Sequence, residues 1–420
     1  MRDVIEEIWS TIRHNKLRTS LTGFSVAWGI FMLIFLLGAG NGLINGITSN
    51  NDQFLNNSME IGGGMTSQAY KGLKEGRMIT LNDKDVSTTK RKYGHYVETV
   101  GEEYRESGVT VTNGENYLST SLLGVYPNES QINKIKMICG RFINDIDQND
   151  KRKVLVVSKD QAKELEPEDF TSLMGKFVKV GNFSFQVIGI YSDDESDMNA
   201  GIYTPFSTLR IMYGLGNKTE NIVFSFHGLN TQKENKDFEK QYKSSLNANH
   251  DVAPDDEDAV WIWNRFTQNL QMNMGMAMVR TALWIVGIFT LLSGIVGVSN
   301  IMLISVKERT REFGIRKAIG AKPRSILRLI MIESIIITTF FGYIGMLLGI
   351  AANQYMNATI GQQTMDLGFG PKIHTFLNPT VGINVCIEAT LLMIIAGTIA
   401  GLIPARRAAK VRPIEALRAE

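Results

Sequence analysis

Four methionines stand at alternate positions in QMNMGMAM, residues 271–278. Thioether sulfur suits a soft ion such as Cu(I). Alternate residues do not share one helix face, however, and no His or Cys joins them. The run therefore reads as a helix rising into the apolar segment that follows. Asp193, Asp194, Glu195 and Asp197 are a concentration of negative charge that could attract calcium, but without EF-hand spacing they read as a solvated loop. His95, His227, His250 and His374 are scattered with no HExxH, and no GxSxG elbow anchors a hydrolase serine. Gly62-Gly63-Gly64 lacks the lysine of a phosphate loop, and GxxxxGK[ST] is absent. Cys139 and Cys386 fall in a polar region and in an apolar run, so neither a disulfide nor a zinc site is expected. No catalytic residue, metal or cofactor is thus expected. What remains is a pair of carboxylates inside otherwise apolar segments, Glu333 and Glu388. An ionisable residue at such depth is a functional candidate. For Glu333 the alternative is a carboxylate at the interface, paired with a loop arginine to hold its helix. For Glu388 it is a water-accessible structural role. Two groups are too few for a proton relay.

The segments that carry these carboxylates are long. The chain has 420 residues, a net charge of +2 and a mean hydropathy near zero, and that average hides strong segregation. Nothing in the charge balance marks a nucleic-acid surface. From Thr19 to Asn51 there is no charge, from Thr281 to Val306 none, from Leu329 to Asn353 only Glu333, and from Val381 to Ile403 only Glu388. Each run is long enough to cross a bilayer. Boundaries follow: a cytoplasmic amphipathic helix over 1–20, spans over 21–46, 276–306, 325–353 and 381–404, a loop over 307–324, an outer loop over 354–380 and a tail over 405–420. Pro404 is expected to end the fourth span. Eight basic residues lie between the second and third spans, against Lys372 alone in the loop after the third. That asymmetry puts both termini in the cytoplasm. Gly38, Gly42 and Gly46 in the first span and Gly397 and Gly401 in the fourth recur at four-residue spacing, which permits close helix approach and suggests packing between chains.

Residues 47–275 form the polar middle, an extracytoplasmic domain mixing strands and helices. Strands are expected at Met65–Lys71, Val109–Val111, Tyr117–Val125, Val154–Val157, Phe177–Val180, Phe183–Ile190, Ile222–Phe226 and Val260–Trp263, with helices over Thr80–Arg91 and Lys233–Leu246. Two α/β halves, 47–111 and 217–263, bracket a strand-rich subdomain, 112–216. The fold class is α+β: four transmembrane helices with a large mixed domain between the first and second.

The basic loop reads as a short helix. Glu308 and Arg311 stand at i,i+3 and Glu312 and Arg316 at i,i+4, both favourable pairs. Gly320 can close it and Pro323 can open the next helix. Arg309, Arg311, Glu312 and Arg316 supply charge, and Phe313, Ile315 and Ile319 an apolar wedge. Either this is a solvated, topology-setting loop or a helix under the membrane that a soluble partner pushes.

SVKERTREFGIRKAIGA with the preceding Asn300, and the carboxy-terminal GLIPARRAAKVRPIEALRAE, resemble the two signature stretches of MacB/FtsX-type ABC transporter permeases. Gly140-Arg141-Phe142, VLVVSKDQAKEL, GKFVKVGNFSFQVIGI and IYTPFSTLRIMYG fall in the order of the MacB-type periplasmic domain. The resemblance implies a coupling helix that docks on an ABC ATPase subunit, involving Lys307, Glu308, Arg309, Arg311, Glu312, Phe313, Gly314, Arg316 and Gly320. It implies an inner-membrane permease acting as a dimer with itself or a homologous permease. ATP would be bound by the partner ATPase, expected as a separate polypeptide, and a periplasmic adaptor and outer-membrane channel can join the assembly. The expected work is mechanotransmission, in which ATP-driven movement reaches the outer domains and expels a substrate such as a peptide or small toxic compound. A lipoprotein-releasing permease of the LolC/LolE type is the alternative. A membrane-anchored receptor, from a different class, would need only one span.

Overall fold

A long uncharged segment can satisfy its backbone in a bilayer only by pairing every N–H and C=O within itself, as a helix. The computed structural model, which describes residues 16–51, 54–192, 201–361, 364–365, 373–374 and 376–411, has four helices long and apolar enough to cross a membrane. These are α1 (Lys16–Asn51), α8 (Arg265–Glu308), α10 (Pro323–Thr359) and α11 (Ile383–Lys410). The interfacial helix expected over 1–20 lies largely outside the described residues, as does the acidic run from Asp193 to Asp197.

Two compact units emerge. The helical unit comprises α1, α8 from Gly275 onward, α10, α11 and the short α9 (Thr310–Ala318). Its core is apolar with small residues at the crossings. Ile30, Leu33 and Ile34 of α1 are fully buried with Met346 of α10 and Met393 of α11. Gly345 of α10 lies so close to α1 that a Cβ there would overlap the Ala27 carbonyl. Two buried polar side chains donate hydrogen bonds between helices, a contact that links helices where water is absent. Asn353 Nδ2 donates to the Ile34 carbonyl at 2.9 Å, and Ser334 Oγ to the Gly397 carbonyl at 2.9 Å.

These crossings account for the glycine stripes. Gly38 abuts Asn353, Gly42 abuts Phe376, and Gly397 and Gly401 face Thr338 and Ser334 of α10. Gly46 is also buried. The small faces expected to pack between chains are occupied within one chain. A second expectation also changes. α11 does not stop at Pro404 but continues to Lys410 with the proline inside it. A membrane helix tolerates such a proline when close neighbours satisfy the freed groups, and Ala400 and Ala405 on either side are buried.

The second unit is polar outside and built on one large sheet. Its strands are β1 (Ser58–Gly63), β3 (Val97–Asn113), β4 (Asn116–Val125), β5 (Met137–Gly140), β6 (Val154–Ser158), β7 (Phe177–Val180), β8 (Phe183–Tyr191), β9 (Ile202–Pro205), β11 (Asn221–Phe226) and β12 (Val260–Asn264). The short pair β2 (Leu81–Asn82) and β10 (Lys218–Thr219) stands beside it. Helices α2 (Asp83–Lys92), α3 (Glu129–Ile132), α4 (Asp145–Asn149), α5 (Lys159–Leu165), α6 (Phe206–Met212) and α7 (Gln232–Asn249) cover it. Several start at capping boxes, with Asn82, Asn144, Ser158 and Thr231 each accepting from the first turn.

The sheet runs β12-β1-β11-β3-β4-β9-β6-β8-β5, and β3 is its spine. The first part of β3 pairs with β11, where Met59, Ile61, Phe224 and Val260 pack under Phe238 and Tyr242 of α7. Its far part pairs with β4 and β7 over a second core of Val111, Leu122, Leu155, Val178 and Phe185. A register shift between Glu106 and Val109, with Gly108 at φ +72°, bends the strand between the two. Met65–Lys71 is not the strand expected. Met65 makes one isolated bridge to Met78, and the paired strand is Ser58–Gly63 immediately before it. A strand needs a neighbour of matching length, which only β11 and β12 supply.

Candidate functional site: the short helix between α8 and α10

At the loop between α8 and α10 the backbone breaks twice. Arg309 leaves helical geometry at φ −91° and ψ 13°, ending α8 and starting α9. Gly320 then adopts φ +103°, where a side chain would be strained, and Pro323 opens α10 in its first turn. The glycine and proline thus serve at the two ends of the turn where their backbone properties suit.

Charge organises the first break. Arg309 Nε lies 3.0 Å from Glu312 Oε2, Arg309 Nη1 lies 3.4 Å from Glu333 Oε2, and Arg316 Nη2 lies 2.7 Å from Glu312 Oε1. Partial burial alone would push the Glu312 carboxyl up. Hydrogen bonds and attraction from Arg309 and Arg316 outweigh that and hold it below the usual range. Glu333, on α10, is 5% exposed and joined to the loop through Arg309. Glu388 is not brought to the same place. It sits on an exposed face near the start of α11, beside exposed Ile387 and Leu391.

The wedge divides. Phe313 is 1% exposed and belongs to a core with Val306, Ile326, Ile330, Ala405 and Ala408, its ring under the Arg309 guanidinium at 5.4 Å. Gly314 is buried beside it. Ile315 is 43% exposed and Ile319 80% exposed. Lys307, Glu308, Arg311 and Gly320 also face outward. Phe313 is therefore corrected from a partner-facing group to an internal one. The free face carries Arg311, Ile315 and Ile319, at i, i+4 and i+8 along one side. On the opposite side Lys317 Nζ donates to the carbonyls of Ala409 at 2.5 Å and Val411 at 2.8 Å, at the end of α11. Neither Lys317 nor its target was singled out by the sequence. A lysine in a helix's last turn is the only local hint, and its usual partner is its own helix end.

A second charged group lies in the sheet unit. Arg265, the first residue of α8, is 4% exposed, with Nη2 3.8 Å from Glu60 Oε2 and Nη1 3.3 Å from Ser58 Oγ. Its guanidinium covers Phe54 at 4.2 Å and Trp263 at 5.2 Å. Burial, with the Glu103 charge nearby, pushes Glu60 up to about 7. Burial and the adjoining Glu129 carboxylate raise Glu103 well above the ordinary range. Among the described residues no three His, Cys, Asp or Glu side chains converge as metal ligands.

Four long apolar helices, an amphipathic loop helix between the second and third, and a large α/β insertion after the first define a multi-span membrane protein of permease type. Two family models match: the MacB-like periplasmic core domain over residues 19–235 and the FtsX-like permease C-terminal region over 284–413. The chain belongs to the MacB/FtsX family of ABC transporter permeases. It is 26% identical over 428 residues to the macrolide export ATP-binding/permease protein MacB of Bdellovibrio bacteriovorus, matching 100% of this chain and 62% of that protein. It is 27% identical over 437 residues to the uncharacterized ABC transporter permease YknZ of Bacillus subtilis, covering 98% of this chain and 97% of the relative. Among solved structures it is similar to the periplasmic region of MacB from Actinobacillus actinomycetemcomitans, at 19% identity and TM-score 0.43, over 54% of this chain and 97% of that one. The chain thus spans about three fifths of the MacB relatives it matches.

Proposed function

We propose that this chain is the permease subunit of a MacB-type ABC transporter, in which α9 docks on an ABC ATPase and passes its movement to the sheet unit outside the membrane. The observation that carries this is the outward face of α9: Arg311, Ile315 and Ile319 stand free while Phe313 secures the helix from behind. An aliphatic pair flanked by a guanidinium suits a partner cleft with an apolar floor and an acidic rim. The substrate class we propose is a peptide or small toxic compound, expelled by movement of the outer domain, with dimerisation through another copy or a homologous permease. Membership of the family supports the ATPase partner.

The test is direct. Burying one isoleucine contributes roughly 1.5–3 kcal/mol, so Ile319→Asp lowers affinity for the ATPase about tenfold to hundredfold. Ile315→Asp acts in the same direction. ATPase recovered with the tagged permease from native membranes measures this, and wild-type recovery by both variants would place docking elsewhere.

The same reading orients the chain. Reporter fusions at Asn217 are expected to register outside the cytoplasm and fusions at Gly320 inside, because the loop before α10 carries the concentration of basic residues. An inside signal from Asn217 would overturn the layout.

A further inference from the structure

A helix pushed by a soluble partner moves whatever it is fastened to, and α9 is fastened to more than α8, the helix it follows in the chain. The break at Arg309 interrupts the helix between them. Three further attachments are made beyond α8, by different chemistry. Arg309 pairs with Glu333 of α10 at 3.4 Å. Phe313 is buried in a core that joins Met302 and Val306 of α8 to Ile326 and Ile330 of α10 and Ala405 and Ala408 of α11. The Lys317 ammonium donates to two carbonyls at the end of α11, Ala409 at 2.5 Å and Val411 at 2.8 Å. Terminal carbonyls have no partner within their own helix, and they carry the negative end of its dipole. A cation from another element that satisfies two of them ties the helices together where each would otherwise meet water.

We propose that Lys317 and Glu333 are positioning residues which bind α9 to the fourth and third membrane helices, so that displacement of α9 is delivered to α10 and α11 and not along α8 alone. This rests on the docking role proposed above. The arrangement distributes the work. Ile315 and Ile319 receive the partner, and Lys317, midway between them in sequence and facing the other side, hands the motion to the end of α11. Glu333 does the same for α10 through Arg309. The pair of anchors makes α9 a lever with two outputs.

The experiment uses the full chain in lipid nanodiscs with the ABC ATPase that co-purifies with it from native membranes. Hydrogen exchange is followed at residues 400–411 of α11 and 326–338 of α10, with and without ATP and vanadate. In the wild type, nucleotide changes exchange in both segments. In Lys317→Met the ATPase is retained, the nucleotide-free exchange pattern matches wild type, and the α11 response is lost. Lys317→Arg, which keeps a donor cation, restores it. In Glu333→Gln the α10 response falls while that of α11 remains, and Glu333→Asp, which keeps the carboxylate facing Arg309, recovers part of it. A purely structural role would alter the nucleotide-free pattern and would not separate the two segments by residue. An undiminished α11 response in Lys317→Met, or loss of the ATPase itself from that variant, overturns the proposal while leaving docking through Ile315 and Ile319 intact. Failure of the wild-type chain to retain any ATPase overturns the docking role, and this proposal with it.

Discussion

Phe313→Ala destabilises the helical unit by about 3–5 kcal/mol, the range for removing a buried aromatic ring without collapse of its surroundings. The ring is 1% exposed and packs among Val306, Ile326, Ile330, Ala405 and Ala408. Its removal leaves a void bordered by α8, α10 and α11 and withdraws the surface under the Arg309 guanidinium. Thermal melting in detergent, with proteolysis of the loop as a second readout, measures the loss. ATPase recovery falls in this variant too, but because α9 loses its seat. Ile319→Asp, by contrast, loses the ATPase and keeps the melting temperature, since Ile319 is 80% exposed. If Phe313→Ala melts like the wild type and yet loses its partner, the ring faces outward and not into the core with Val306, Ile326 and Ala405.

The second large effect is a pH dependence in the sheet unit. Glu60, pushed up to about 7 from near 4.5 by burial first and by the Glu103 charge second, binds a proton in the folded chain over a window where the unfolded chain has released it. Stability therefore falls as pH rises through that window. Its contribution is fully present below pH 4.5 and lost once pH passes about 7. A shift of this size corresponds to about 3 kcal/mol, at 1.36 kcal/mol per pH unit. Glu103, raised by burial and by Glu129, acts in the same direction. Asp147 and Asp256 work oppositely, but only in more acid solution, because their carboxyls are held below the usual range: burial is outweighed by Arg141 for the first and by hydrogen bonds from Ser67 for the second. The expected result is a denaturation midpoint that declines from pH 5 to pH 8, with a shallower decline in Glu60→Gln. Equal slopes in the two proteins would show that Glu60 titrates as an ordinary surface carboxylate.

Both predictions depend on information absent from any window of the chain. The four spans were legible because an uncharged run of that length has one solution in a bilayer. The end of α9 was legible because Gly320 and Pro323 act on their own backbone, whereas its start was not: Lys307 and Glu308, expected in the loop helix, belong to α8, and the break falls at Arg309. Most strands of the sheet were legible from local alternation, as at Phe177–Val180, whose expected and observed bounds agree. The face of α9 was not. Phe313, Ile315 and Ile319 are all apolar, and near a membrane apolar character no longer separates inside from outside, because lipid, protein core and a docking cleft all accept it. The same ambiguity hid the purpose of Gly397 and Gly401. Small residues permit close approach to any helix, and only the fold shows that the neighbour is α10 of the same chain.

Partner choice among charges was equally indeterminate in sequence. Eight basic residues lie between the second and third spans, and spacing does not say that Arg309 is the one that reaches Glu333 or that Lys317 reaches past its own helix to Ala409. Glu60 and Arg265 are separated by most of the polar region, and β1 brings them together only by pairing with β12. By itself the sequence determined what depends on neighbours along the chain: spans, the turn from Gly320 to Pro323, strand alternation, and the distribution of basic residues. Tertiary structure alone decided which apolar groups are internal, which cation meets which carboxylate and which helix end Lys317 closes, because those outcomes depend on distances between residues that the chain order leaves free.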